Sequence, residues 1–178
     1  MSLLSEAEKL AAVTDAVTAQ YAKELARVLR DLERQLTQLA QDALAGSKTA
    51  MARAVRAQQL RSQIRTALRL AGYPELTQKA AGTALDRLVA QVERLQGAAQ
   101  IAAFTSNDYT RILALKELAK LNLFDQGEAL YTAVWRTFQY GLFSQRPLND
   151  LLDDLATTLD IELYEARTFY DTTASVFT

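Results

Sequence analysis

The chain has 178 residues, of which 49% are hydrophobic and 23% charged, a globular rather than disordered balance that suffices for one or two helical units. Its formal net charge of −1 lacks the positive balance of a nucleic-acid binder, and the absence of histidine and cysteine excludes disulfides, thiolate metal sites and Ser/His or Cys/His nucleophile pairs. Six glycines and two prolines punctuate a background of Ala, Leu, Gln, Arg and Glu, residues that lose little side-chain freedom in a helix, and an all-α fold is expected.

Glu6 and Glu8 stand where an export signal needs a basic region, and no window approaches ~18 uninterrupted apolar residues, so neither a signal peptide nor a membrane span is expected. Ser5 and Glu8 have the spacing of a capping box and predict the start of a long helix. Apolar residues then recur at Leu10, Val13, Val17, Tyr21, Leu25, Val28, Leu32, Leu36, Leu39 and Ala43, a mean step of about 3.67 residues, which suits a nearly straight packed helix rather than a left-handed coiled coil. Gly46 and Ser47 are the expected stop.

A second helix from Ser47 to Ala71 is predicted to bury Met51, Val55, Leu60, Ile64, Ala67, Leu68 and Ala71, and Gly72-Tyr73-Pro74 to break it. Residues 1–72 thus read as a long helical hairpin and residues 73–178 as a bundle of shorter helices. Between Lys48 and Arg69 there are six basic residues and no acid. A helical pattern follows from Pro74 through Leu76, Ala80, Leu85, Leu88, Val92, Leu95 and Ile101 to Phe104; Gly82 and Gly97 inside it suggest close helix contact or a hinge.

Thr105 to Asp108 form a cluster of capping side chains ahead of a helix carrying Ile112, Leu115, Leu118, Ala119 and Leu121. Asp125 with Glu128 repeats the capping spacing and predicts a separate, aromatic helix to Phe143. After an irregular stretch from Gly141 to Pro147, Leu148 to Leu159 and Ile161 to Tyr170 read as two further helices, Pro147 being tolerated in a first turn.

No glycine pair has the spacing of a phosphate loop beside a lysine, and neither a cofactor nor a metal is expected. Asp150, Asp153 and Asp154 are the densest carboxylates, but on an amphipathic helix they read first as a solvated face near an amino terminus, where negative charge is favourable. Trp135, Phe138, Tyr140 and Phe143 read as bundle core, with a partner interface as the other use; with the three aspartates they form the candidate protein interface. Arg53, Arg56, Arg61, Arg65 and Arg69 are ordinary solvated surface or, alternatively, a contact for nucleic-acid phosphates or an acidic partner. Lys48 to Arg69 carries +6 and Leu148 to Thr178 −6, a polarity suited to head-to-tail contact between copies, including a closed ring.

The run from Trp135 through Gly141, Ser144 and Pro147 to Leu155 resembles the segment of the head morphogenesis (minor head) proteins of tailed bacteriophages in which a helix ends in a Gly-containing turn and the next begins. Tyr164 to Ala174 is similar to the Ala-x-Thr-Ile-Ala-Arg-Thr-Glu-Thr run of that family: Ala166, Thr168 and Thr172 match, while Asp171 and Thr173 stand where Arg and Glu are usual. The resemblance covers about a quarter of the chain. It implies a non-enzymatic virion component made in the host cytoplasm, located at the portal or neck and active in head assembly or genome delivery. Its partners would be the portal, other virion proteins and packaged DNA. A head-to-tail adaptor ring on the portal and a non-viral helical adaptor or regulatory bundle are the alternative readings.

Overall fold

A computed structural model of the chain describes residues 3–46, 48–100 and 104–176. Six α-helices account for nearly all of them: α1 (Leu3–Ala45), α2 (Ala50–Leu70), α3 (Tyr73–Lys79), α4 (Leu85–Ala98), α5 (Ser106–Phe143) and α6 (Leu148–Val176), with a single widened π-type stretch, Ala80–Ala84, between α3 and α4. No strand occurs among the described residues. The fold is all-α, opening with a long helix and continuing in shorter helices that pack together.

The periodicity read along the first helix is the periodicity of its burial. Leu10, Val17, Tyr21, Leu25, Val28, Leu32, Leu36 and Ala43 are buried, and only Val13 and Leu39 stay partly exposed. α1 begins at Leu3, so Ser5 lies inside the first turn instead of capping it. The acid that matters there is Glu6, buried and bonded by Lys9 Nζ at 2.6 Å and by Gln91 Nε2 at 3.0 Å.

The Thr49 hydroxyl caps α2 by accepting from the Ala52 amide at 3.1 Å. Ser47 of the expected stop lies outside the described residues. Ala57, Leu60, Ile64, Ala67 and Leu68 form the buried side of α2, whereas Met51 and Val55, expected there too, are exposed in its first turns. Gly72 ends the helix with φ +88°, its amide bonding the Arg69 carbonyl at 3.0 Å, a left-handed cap that a residue with a Cβ adopts only under strain.

Gly82 and Gly97 do not mark close helix contacts: a Cβ at either would meet nothing within 4 Å. The close approaches are at two other glycines. A Cβ at Gly127 would lie 2.7 Å from the Tyr73 ring, and one at Gly141 would lie 2.7 Å from Leu151 Cδ1. α4 ends at Ala98, short of the expected Phe104, with Gln100 left-handed at φ 56°; Ile101 lies outside the described residues.

Two expected breaks are absent. Thr105 and Asp108 cap α5 reciprocally, the Thr105 amide donating to Asp108 Oδ2 at 2.8 Å and the Asp108 amide to Thr105 Oγ1 at 3.3 Å. The helix then runs through Asp125 and Glu128 to Phe143, because capping side chains do not stop a helix whose amides already have partners, and Gly127 serves the contact with Tyr73. α6 is likewise one helix, since Leu159-Asp160-Ile161 contains neither glycine nor proline to interrupt it.

The contacts cluster into two compact units. One comprises Met1–Glu24, Glu75–Phe124 and Ala166–Thr178. Inside it the Tyr21 and Tyr170 rings stack and Lys79 pairs with Glu24 at 2.6 Å. The other comprises Leu25–Pro74 and Asp125–Glu165, with a core of Leu32, Leu36, Leu60, Ile64, Val134, Phe138, Leu142 and Leu151. Each such side chain contributes about 1.5–3 kcal/mol on leaving water.

Candidate interaction surfaces

The arginines of α2 do not form one free cationic face. The Arg61 guanidinium lies over the Trp135 ring, 4.6 Å from its centroid, and its Nε points at the Tyr131 hydroxyl at 3.4 Å. Arg65 lies over Tyr131 at 4.4 Å and pairs with Glu128 at 3.2 Å. Trp135 in turn donates from Nε1 toward the Ala57 carbonyl at 3.5 Å. These arginines cover aromatic surface of α5 and are held there by ring quadrupole and carboxylate. Arg53 and Arg56 are half-buried, Arg56 donating to Gln59, and Arg69 is exposed.

The candidate interface at the end of α5 separates into two groups. Phe138 is 0% exposed and belongs to the core, and Trp135 is half-covered by Arg61. Tyr140 and Phe143 are exposed large apolar residues beside the turn into α6. In that turn Arg146 pairs with Asp154 at 2.7 Å and lies over the Tyr140 ring at 5.6 Å, while Asp150 and Asp153 are exposed. Among the described residues no group of three or more His, Cys, Asp or Glu is arranged to hold a metal ion, and the three aspartates are no exception.

The first half of α5 presents a surface that sequence reasoning missed. Ala119 and Leu123 are buried and Ile112 half-buried, but Leu113 is 61% exposed, Leu118 52%, Leu121 61% and Phe124 62%, with Tyr109 and Leu115 also exposed. A helix that is apolar on every side is ordinarily enclosed. The signal was present: apolar residues between Ile112 and Phe124 occupy every sector of the helical wheel, too many for one buried stripe.

A pocket of about 70 Å³ beside the Tyr21–Tyr170 stack is lined also by Glu24, Lys79 and Arg87. Two open grooves of about 370 and 340 Å³ run along α1, one against α6 at Leu159 and Leu163, the other against α2 at Thr66 and Leu70. No described helix is long and apolar enough to cross a membrane.

Burial and neighbouring charge shift a few groups. The Lys9 ammonium, followed by Gln91, holds the Glu6 carboxyl below its ordinary value against the opposing effect of burial. Burial, followed by Glu165, raises Glu162. Burial, with Glu162 nearby, pushes the Tyr73 phenol up to about 12. No family model matches the chain, and neither the curated proteins nor the solved structures compared with it give a match.

Proposed function

We propose that the chain is a structural component of a tailed-phage virion at the portal or neck vertex, acting in head assembly or genome delivery through protein–protein contacts. The observation that carries this reading is the exposed apolar surface of α5 from Tyr109 to Phe124, which leaves a helix short of neighbours that another protein would supply. The resemblance of Trp135 to Leu155 and of Tyr164 to Ala174 to minor head proteins supplies the virion context. Those segments form the α5–α6 turn and the second half of α6, where Ala166 is buried and Thr168 and Thr172 are exposed. No catalytic step is part of the reading, and contact with packaged DNA would fall to the basic helix from Arg53 to Arg69, on which Arg61, Arg65 and Arg69 are exposed.

A second reading, a head-to-tail adaptor ring, is favoured by the opposite charges of Lys48 to Arg69 and Leu148 to Thr178. It is weakened by the internal engagement of Arg61, Arg65 and Asp154. Imaging of virions carrying an epitope on this chain tests both. Label at the portal vertex in a few copies supports the minor head reading, a closed ring below the portal supports the adaptor, and purified virions without the chain overturn both.

A further inference from the structure

The exposed apolar residues of α5 divide into two sides, and one of them is self-complementary. At about 100° per residue Arg111, Leu118 and Asp125 fall within about 40° of one another, with Leu115 and Leu121 about 60° to either side of Leu118. Along the helix, Arg111 and Asp125 each lie seven residues from Leu118, and Leu115 and Leu121 each three. All five are exposed.

We infer that this side of α5 docks a second copy of the chain, antiparallel, across a two-fold axis at Leu118. Turning the helix about that axis lays Leu118 on the partner's Leu118 and Arg111 close to the partner's Asp125, and brings Leu115 level with the partner's Leu121 on the flanks of the contact. Each contact is repeated by symmetry, as an isologous interface requires. The register places an apolar centre between two opposite-charge pairs, and a parallel copy would set Arg111 against the partner's Arg111 instead. An unrelated partner has no reason to match a pattern so evenly disposed about one leucine. Leu113 and Phe124 project from the other side of the helix and stay available for a different neighbour.

The inference rests on the reading that exposed helical faces recruit neighbours, and its test is separable from the virion test. Sedimentation equilibrium of the purified full chain at micromolar concentration should return twice the chain mass, with pairing weakened but not abolished by salt, because salt screens the Arg111–Asp125 pairs and leaves the central leucines. Leu118→Glu should raise the dissociation constant by about 100-fold, a hot-spot loss. Arg111→Asp or Asp125→Arg alone should weaken pairing by about 10-fold, and the two together should restore it. Leu113→Glu, equally exposed on the opposite side, should leave the dimer intact, with circular dichroism checking the helix content of every variant. Because the chain has no cysteine, Leu118→Cys should yield a disulfide-linked dimer under mild oxidation. A monomer at about 100 µM, or a dimer indifferent to Leu118→Glu, overturns the pairing. A monomeric chain that still enters virions overturns the pairing alone, and a dimer that never enters them overturns the virion reading alone.

Discussion

The rings of Tyr21 in α1 and Tyr170 in α6 stack with centroids 3.9 Å apart, and the Tyr170 phenol donates to the Ala80 carbonyl at 3.2 Å, at the start of the π-type stretch. One side chain thus ties together three segments far apart in sequence. The Tyr170 hydroxyl is raised well above its ordinary pKa by burial, so it remains a donor throughout the neutral range.

Tyr170→Phe should keep the stack and lose the hydrogen bond, leaving the Ala80 carbonyl short of a partner at a cost of about 1–3 kcal/mol. Tyr170→Ala should cost about 3–5 kcal/mol by also leaving a cavity. Urea denaturation of the two variants against the parent checks both. Equal losses would mean that the hydroxyl contributes nothing.

Glycine positions should respond oppositely to alanine. Gly127→Ala gains up to ~1 kcal/mol of helix propensity but drives a methyl into the buried Tyr73 ring, and overpacking of about 1–3 kcal/mol should dominate. Gly97→Ala meets open space and should stabilise by about 0.5–1 kcal/mol. Thermal unfolding of the pair measures the difference in sign.

Arg61 and Trp135 should be energetically coupled by about 0.5–1 kcal/mol in a double-mutant cycle read by urea denaturation, because the guanidinium covers the indole face. Arg69 is the cleaner probe of DNA contact, since Arg61 and Arg65, although exposed as well, lie over aromatic rings of α5 and changing them would also disturb those contacts. Arg69→Glu should weaken retention of duplex DNA at low salt with unfolding unchanged, and equal retention removes DNA from the functional account.

Acid should remove the stability that Glu6 supplies. Its folded pKa is lowered, so the contribution is present above the unfolded carboxylate range, about 4.3, and is lost as pH falls through the folded value. Glu162 has the opposite sign: raised by burial, it favours folding when protonated, and its penalty is present once pH exceeds the folded value. Melting temperature followed from pH 3 to 7 should therefore fall less steeply on the acid side in Glu6→Gln than in the parent, and Glu162→Gln should raise it at pH 7. At the alkaline end, Tyr73 is raised, so stability should decline above about pH 10, where the unfolded phenol ionises before the folded one.

The all-α class and the spacing of the first helix were legible in the chain itself, because helix propensity and a 3.67-residue apolar step are local properties. So were the Gly72 stop, where backbone handedness demands glycine, and the capping cluster from Thr105 to Asp108, within which the structure picks out the reciprocal bonds of Thr105 and Asp108. Tertiary contact decided the rest. Asp125 with Glu128 looked like a helix start, yet Glu128 turns to Arg65 and Gly127 makes room for Tyr73, so α5 continues through all three. Gly82 and Gly97 looked like contact points and face open space. The arginines of α2 read as solvated surface or a phosphate contact, and only the structure shows that Arg61 and Arg65, still exposed, also lie over the facing aromatics of α5. A sequence records which side chains are apolar or charged; which helical faces find neighbours depends on how the helices are brought together, and that is why the uncovered leucines of α5 became visible only in three dimensions.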